Sequence, residues 1–112
     1  MAPSESIGQF EHVVLAAVLA LGDVAYGVTI HTKVEELVSP RTVALGAVYA
    51  TLDRLEDKGL VTSWLSDPTP ERGGRAKRYF TVTPRGIAAV RNTQKALVAL
   101  WKDVPQLRDT RA

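Results

Sequence analysis

Apolar residues recur at helical spacing near the start of the chain. They predict a first helix over Ile7–Leu21, which Gly22 ends. Its apolar positions are Ile7, Phe10, Val14, Ala17, Val18 and Leu21. From residue 13 the run VVLAAVLAL is apolar on every side, a pattern that requires burial all round. A chain of 112 residues forms one small domain that cannot easily enclose a helix, so we expect a second copy to cover part of it.

The next two predicted helices are joined by a short turn. The second begins after Tyr26 and ends before Pro40, and the third begins at Leu45 and stops at Gly59. Their buried stripes are expected to be Ile30, Val34, Leu37 and Val38 in the second helix and Leu45, Val48, Leu52 and Leu55 in the third. Two helices linked by a turn of this length, Arg41–Leu45, form a helix-turn-helix unit.

A hairpin and a long last helix complete the pattern. Leu60–Ser66 predicts one strand, the Pro- and Gly-rich run DPTPERGG from residue 67 predicts a loop, and Arg75–Thr83 predicts the returning strand. Thr83 is a good N-cap, and Pro84 suits the first helical position. The last helix is expected to reach Asp103, which makes it roughly 30 Å long.

This order of elements predicts a fold that is α+β, mainly α: a winged helix-turn-helix with a long C-terminal dimerisation helix. The expected division of the chain is a flexible N-terminal tail over 1–6, the winged helix-turn-helix domain over 7–83, the dimerisation helix over 84–104 and a tail over 105–112.

The charge of the chain is small overall but unevenly spread. Residues 1–40 carry one basic and five acidic side chains, whereas residues 41–112 carry thirteen basic and seven acidic ones. Between residues 72 and 95 there are seven basic side chains and no acidic one. This asymmetry favours a surface that binds a polyanion, although a solvated basic strand and helix would give the same pattern.

The sequence offers little for catalysis, metal binding or membrane insertion. It has no cysteine, and His12 and His31 lack acidic or thiol partners at ligand spacing, so we interpret both as structural. We find no nucleophile–base pair or phosphate loop, and expect neither an enzyme nor a cofactor or metal site. The longest apolar run is nine residues, too short to span a bilayer, and the N-terminus does not resemble a signal peptide. A cytoplasmic protein is expected.

The outer face of the third helix suits a DNA major groove. Opposite its apolar stripe this helix carries small side chains, which let its backbone approach a groove floor, and its N-terminus favours anions. Hydroxyls of Thr42 and Tyr49 and the charge of Arg41 could meet phosphates. The residues expected on this face are Gly46, Ala47, Ala50, Asp53 and Arg54, with Tyr49 on one flank. The simpler interpretation is that Gly and Ala only fill an exposed helix.

The hairpin carries Arg72, Arg75, Lys77 and Arg78 around two glycines. Cationic groups on a loop suit phosphates or a minor-groove edge, so all four are expected to contact DNA, with salt-bridged surface decoration as the alternative.

The last helix presents one apolar side that its own domain cannot cover. This side comprises Val90, Leu97, Leu100, Trp101 and Val104. Its expected partners are the last helix and the first helix of a second copy, the latter through Val14, Val18 and Leu21, with packing onto its own domain as the alternative. Trp101 could line a pocket for a flat apolar ligand in the dimer or be plain core. We expect Trp64, on the first wing strand, to pack against the domain.

Three segments together resemble the PadR family of bacterial winged-helix transcriptional regulators. They are FEHVVLAAVLALGDVAYGVTI from residue 10, GAVYATLDRLEDKGLV from residue 46 and ERGGRAKRYFTVTPRG from residue 71. The resemblance implies a homodimeric DNA-binding regulator, usually a repressor, without catalytic activity. It also implies that Tyr26, the start of the third helix including Tyr49, and the basic wing touch DNA. The chain is similar to the short branch with a single C-terminal helix, so an inducer would have to bind at the dimer interface.

The predicted function is therefore a sequence-specific transcriptional regulator that binds a palindromic operator in double-stranded DNA as a homodimer. The alternative is a winged-helix module that binds protein, whose wing would carry apolar or mixed-charge residues in place of the Arg/Lys cluster. RNA is a less suitable partner, because its major groove is too narrow for a helix to enter.

Overall fold

The computed structural model describes residues 7–66 and 76–107. In order, the elements of this part of the chain are α1 Gln9–Leu21, α2 Gly27–Val38, α3 Leu45–Asp57, β1 Val61–Leu65, β2 Arg78–Val82 and α4 Pro84–Trp101. Short 3₁₀ turns over Gly22–Val24 and Pro105–Leu107 follow α1 and α4. The α+β, mainly α fold predicted from the sequence is confirmed. The predicted loop over 67–74, the tail over 1–6 and the tail beyond residue 107 lie outside the described residues.

The core lies where α1, α2 and α3 meet the inner face of the hairpin. Its buried apolar side chains include one member of α4, Ala89, and are Val14, Leu15, Ala17, Val18, Ala25, Ile30, Val34, Val48, Leu52, Leu55, Leu60, Val61, Phe80, Val82 and Ala89. Periodicity in the sequence identified most of the helical members because a 3.6-residue repeat brings them to one side of each helix.

Two residues expected at a dimer interface lie in this core instead. Val14 and Val18 are fully buried within the protomer, so neither side chain can reach a second copy. The expectation is wrong for both, because α2, α3 and the hairpin already cover that side of α1. Near the end of α1, Leu19 is exposed and Leu21 is half-buried.

Two other residues expected inside lie at the surface. Leu37 is 52 % exposed and lines a groove with Val13 of α1, while its neighbour Val38 is half-buried. Leu45 is 39 % exposed because it is the first residue of α3. Helical side chains lean towards the N-terminus, so Leu45 leans past the end of the helix and away from the core.

The hairpin is antiparallel, with Ser63 opposite Phe80 and Trp64 opposite Tyr79. On its other edge β2 meets the segment before α2. Tyr26 forms a bridge with Tyr79, and the Phe80 N–H donates to the Ala25 carbonyl at 2.9 Å. The wing, which we define as β1, β2 and the residues between them, is therefore joined to the start of α2.

A compact joint connects the wing to α4. The Thr83 hydroxyl accepts from the Gly86 N–H at 3.0 Å and donates to the Gly59 carbonyl at 2.8 Å, which confirms Thr83 as the N-cap. A side chain at Gly86 would collide with the Leu60 carbonyl oxygen, so glycine is required for this close approach. Helix α4 ends at Trp101, two residues before the predicted Asp103. The helical conformation is disfavoured immediately before Pro105.

Candidate nucleic-acid interface

Helix α3 presents a face of small residues to solvent. Gly46, Ala47 and Ala50 are all exposed on it, and a Cβ built at Gly46 would meet nothing within 4 Å. Asp53 and Arg54 are exposed further along, as the helical wheel predicted. The backbone of the first two turns of α3 is therefore accessible to a surface as large as a DNA groove.

The turn before α3 is held by two side chains of α2. The Val43 N–H donates to Glu35 Oε2 at 2.9 Å, and His31 Nε2 lies 2.6 Å from the Val43 carbonyl oxygen. A carbonyl can only accept, so Nε2 carries the hydrogen in this contact. Both backbone groups of Val43 are thus satisfied, which orients the start of α3. The neighbouring side chains Arg41 and Thr42 are exposed and available to a ligand.

Tyr49 connects α3 to the start of α2. Its hydroxyl and ring pack against Gly27 so closely that a Cβ at residue 27 would overlap the phenol oxygen. Gly27 is buried, whereas Tyr49 remains 42 % exposed. The Tyr49 hydroxyl therefore lies at the junction of the two helices rather than projecting freely from α3.

Aromatic rings continue this contact into the wing. Tyr26 packs edge-on against Tyr79, with ring centroids 5.4 Å apart, and Tyr79 stacks on Trp64 at 4.9 Å. The ammonium of Lys77 lies 4.3 Å from the centroid of the Tyr26 ring, a cation–π contact. Trp64 packs on a neighbour, as expected, but it is 55 % exposed and does not belong to the core. Tyr49 and Lys77 thus contact two adjacent residues at the start of α2, Gly27 and Tyr26.

The cations expected on the wing have different surroundings. Arg78 donates to the Ser63 hydroxyl at 2.9 Å, and that hydroxyl donates to Glu56 Oε2 at 2.8 Å. Arg72 and Arg75 lie outside the described residues. Neither Ser63 nor Glu56 was expected in this chain of hydrogen bonds, although strand alternation places Ser63 and Arg78 on one face.

Arg54 also has partners within the protein. It donates to the Thr51 hydroxyl at 3.1 Å, and its Nε lies 3.7 Å from Glu11 Oε2. Glu11 is almost fully buried, and Lys58 Nζ lies 3.0 Å from both of its oxygens. Burial raises the pKa of Glu11, but the Gly8 N–H, Lys58 and Arg54 together hold the pKa below the ordinary value of 4.5. The Glu11 carboxylate therefore joins α1 to the C-terminal end of α3.

The two histidines have different environments. His31 holds the Val43 carbonyl, as described above, whereas the buried Nδ1 atom of His12 has no hydrogen-bond partner among the described residues. Over residues 7–66 and 76–107, no three His, Asp or Glu side chains come together as a metal site.

Helix α4 leaves its expected apolar side largely open. Val90 packs against the core and Val104 is half-buried, but Leu97 and Trp101 are each 47 % exposed and Leu100 is more exposed still. Val98, which is not part of the predicted apolar side, is also exposed. Within the described part of the chain, no helix is both long and apolar enough to cross a membrane.

Solved structures share this fold. A PadR family transcription regulator from Clostridium difficile R20291 matches with a TM-score of 0.70 at 20 % identity, over 91 % of this chain and 100 % of that chain. A PadR-like transcription factor from Bacteroides fragilis matches with a TM-score of 0.71 at 23 % identity, over 89 % and 90 % of the two chains. RosR of H. salinarum matches with a TM-score of 0.70 at 22 % identity, over 97 % and 86 %. At such identities these similarities establish the fold alone.

The sequence itself identifies the family. No protein of curated function matches it significantly. Residues 15–92, well over half of the chain, match the transcriptional regulator PadR-like family. Together with the winged helix and its accessible α3, this match shows that the chain belongs to the PadR-like family of DNA-binding transcriptional regulators.

Proposed function

We propose that this chain is a transcriptional repressor that binds an inverted-repeat operator as a homodimer. In each protomer α3 enters the major groove and the wing lies on the adjacent phosphates. The proposal depends most on one observation: the start of α2 links α3 to the wing, since Tyr49 packs on Gly27 and the ammonium of Lys77 lies over the ring of the preceding residue, Tyr26. The helix that we assign to the groove and the cation that we assign to a phosphate are thereby joined through the start of α2.

The charges along α3 support a docking direction. The exposed carboxylates of Asp53 and Asp57 lie in its C-terminal half, whereas Gly46 and Ala47 lie in its first turn. Phosphates repel the carboxylates of the C-terminal half. The helix dipole and the unpaired N–H groups attract phosphates to the N-terminal end. We infer that α3 enters the groove N-terminus first, with Arg41 and Thr42 near the backbone.

The open side of α4 supports dimerisation. Leu97, Leu100 and Trp101 are large apolar residues on one side of α4 and are exposed in the single protomer. Contact with the same helix of a second copy removes this surface from water, and Leu21 at the end of α1 can contribute to the rim of the interface. A two-fold dimer of this kind places its two α3 helices about 34 Å apart, one turn of DNA.

Selection of bound duplexes from a random pool tests the whole proposal. We expect an inverted repeat with half-sites about 10 base pairs apart, centre to centre, or a multiple of that spacing. In a reporter strain, the protein should then lower transcription from a promoter that carries this repeat. Enrichment of a single unrepeated site would contradict the dimer, and no enrichment even at low ionic strength would contradict DNA binding itself.

We further propose that a small, flat, apolar ligand relieves repression by binding beside Trp101 at the dimer interface. Its half-exposed indole, on the side that we assign to the interface, offers a stacking surface. The chain has two tryptophans, so Trp64→Phe leaves Trp101 as the sole indole reporter. Planar aromatic compounds should change its fluorescence and release the operator. Release without any change in Trp101 emission would place the ligand elsewhere.

A further inference from the structure

We propose that Arg78 is a positioning residue, which holds the wing against α3 through Ser63 and Glu56 rather than binding a phosphate. This inference rests on the DNA binding proposed above. It assigns different roles to Arg78 and to its neighbour Lys77, which the sequence alone groups together in one basic cluster.

The strand register places Arg78 on the inner side of the wing. Side chains alternate along a strand, so Arg78 shares a face with the buried Phe80 and Val82, while Arg78 itself, at the outer end of that face, is exposed. Ser63 pairs with Phe80 and therefore lies on the same face. Arg78 is the diagonal neighbour of Ser63, a separation that a long side chain can span.

The hydrogen bonds form a relay from β2 through β1 to α3. A serine hydroxyl has one hydrogen and two lone pairs, so Ser63 can accept from Arg78 at 2.9 Å while it donates to Glu56 at 2.8 Å. Glu56 and Ser63 are both half-buried, which limits the access of water to the bond between them, while the bond from Arg78 to Ser63 is exposed.

Lys77 contrasts with Arg78 in its surroundings. Its ammonium lies over the ring of Tyr26, next to the row of aromatic rings. No acidic partner of Lys77 is present among the described residues. Arg78 is exposed and Lys77 is half-buried, so we assign the phosphate contact to Lys77 from its partners and not from its exposure: its ammonium faces a ring, which leaves its charge uncompensated.

The test compares substitutions that keep or remove charge. Ser63→Ala breaks the relay without changing any charge, and Ser63→Thr keeps the hydroxyl. DNA affinity is measured against salt concentration for these two variants, Arg78→Ala, Lys77→Ala and the parent, on the tightest duplex from the random pool. We expect Ser63→Ala and Arg78→Ala each to weaken binding about threefold to tenfold with an unchanged salt slope, since Arg78→Ala loses one hydrogen bond of the relay and Ser63→Ala loses both. Ser63→Thr should bind like the parent.

Several results would overturn the inference. One is a salt slope for Arg78→Ala that falls by about 0.9, the signature of a lost phosphate contact. A second such result is equal DNA affinity of Ser63→Ala and Ser63→Thr. This comparison tests the relay even if Arg78→Ala does not fold. A parent protein that binds no duplex would contradict the proposed function instead. The relay is then tested without DNA, because Ser63→Ala should unfold at lower urea concentration than Ser63→Thr.

Discussion

The phenol of Tyr49 on α3 lies directly against the backbone of Gly27 on α2. The contact therefore connects α3, which we assign to the DNA groove, with the start of α2, where Tyr26 precedes Gly27. It explains why glycine occurs at this position: even one methyl group would occupy the space of the Tyr49 hydroxyl. The two helices α2 and α3 can therefore approach each other this closely only because Gly27 has no side chain.

Gly27→Ala should destabilise the fold, although alanine normally favours a helix. The added methyl group displaces Tyr49, and overpacking of this kind costs about 1–3 kcal/mol. Urea unfolding measures the loss. Gly46→Ala is the matched control, since its methyl group meets nothing within 4 Å and should raise stability by up to about 1 kcal/mol.

Removal of the tyrosine ring should then rescue Gly27→Ala. The double variant with Tyr49→Ala should be more stable than the sum of the two single changes predicts, because the clash no longer exists. Strictly additive effects would show that Gly27 is required for another reason.

Glu11→Gln should lower the free energy of unfolding by about 1–2 kcal/mol near neutral pH, since it removes the charge that Lys58 and Arg54 face. The folded-state pKa of Glu11 lies below its unfolded value, so this stabilisation is present above the ordinary pKa of 4.5 and disappears as pH falls through the folded-state pKa. The difference between variant and parent should shrink accordingly below that pH.

Glu36→Gln is the control for this prediction. It makes the same chemical change at an exposed pair with Lys33 and should alter stability by less than about 1 kcal/mol at any pH. A difference between Glu11→Gln and the parent that persists unchanged in acid would mean that packing, and not charge, is responsible.

Leu97→Asp should convert the dimer to a monomer and remove most of the affinity for DNA. The side chain is 47 % exposed in the protomer, so the protomer itself should remain folded, while a carboxylate in a buried apolar interface is costly. Sedimentation gives the mass and circular dichroism the fold. Asn92→Asp, an exposed polar position of the same helix, should leave the mass unchanged. A dimeric Leu97→Asp protein would place the interface elsewhere.

Lys77→Ala should weaken binding to all duplexes alike and reduce the salt slope by about 0.9 for the one phosphate contact it loses. Fluorescence anisotropy over a range of salt concentrations measures both quantities. Lys102→Ala removes the same charge just beyond α4 and should change neither. If affinity falls only for one sequence, Lys77 reads a base rather than a phosphate.

The order of elements could be predicted because each depends on neighbours in the sequence. The repeat of Val48, Leu52 and Leu55 predicts a helix wherever the chain is placed, and Thr83 before Pro84 specifies a helix start by its own hydrogen bond. The exposed small residues of α3 were predictable for the same reason, since they lie opposite that repeat.

Contacts between distant residues could not be predicted in this way. The apolar pattern of α1 indicates that the helix is buried, but not whether the same protomer or a second copy covers it. In the structure, the protomer itself covers Val14 and Val18. The clustering of basic residues predicted one shared role for Lys77 and Arg78. Their partners, Tyr26 and Ser63, are close only because the chain folds.

The sequence by itself thus determined the helices, the hairpin and the family, all of which follow from local periodicity, capping and motif spacing. Only the tertiary structure decided which cation joins the wing to α3 through a serine and which lies over an aromatic ring. It also decided that Tyr49 rests on Gly27. The physical reason is that hydrogen bonds and close packing depend on distances of a few ångströms between residues far apart in the chain, and those distances exist only once the core has formed.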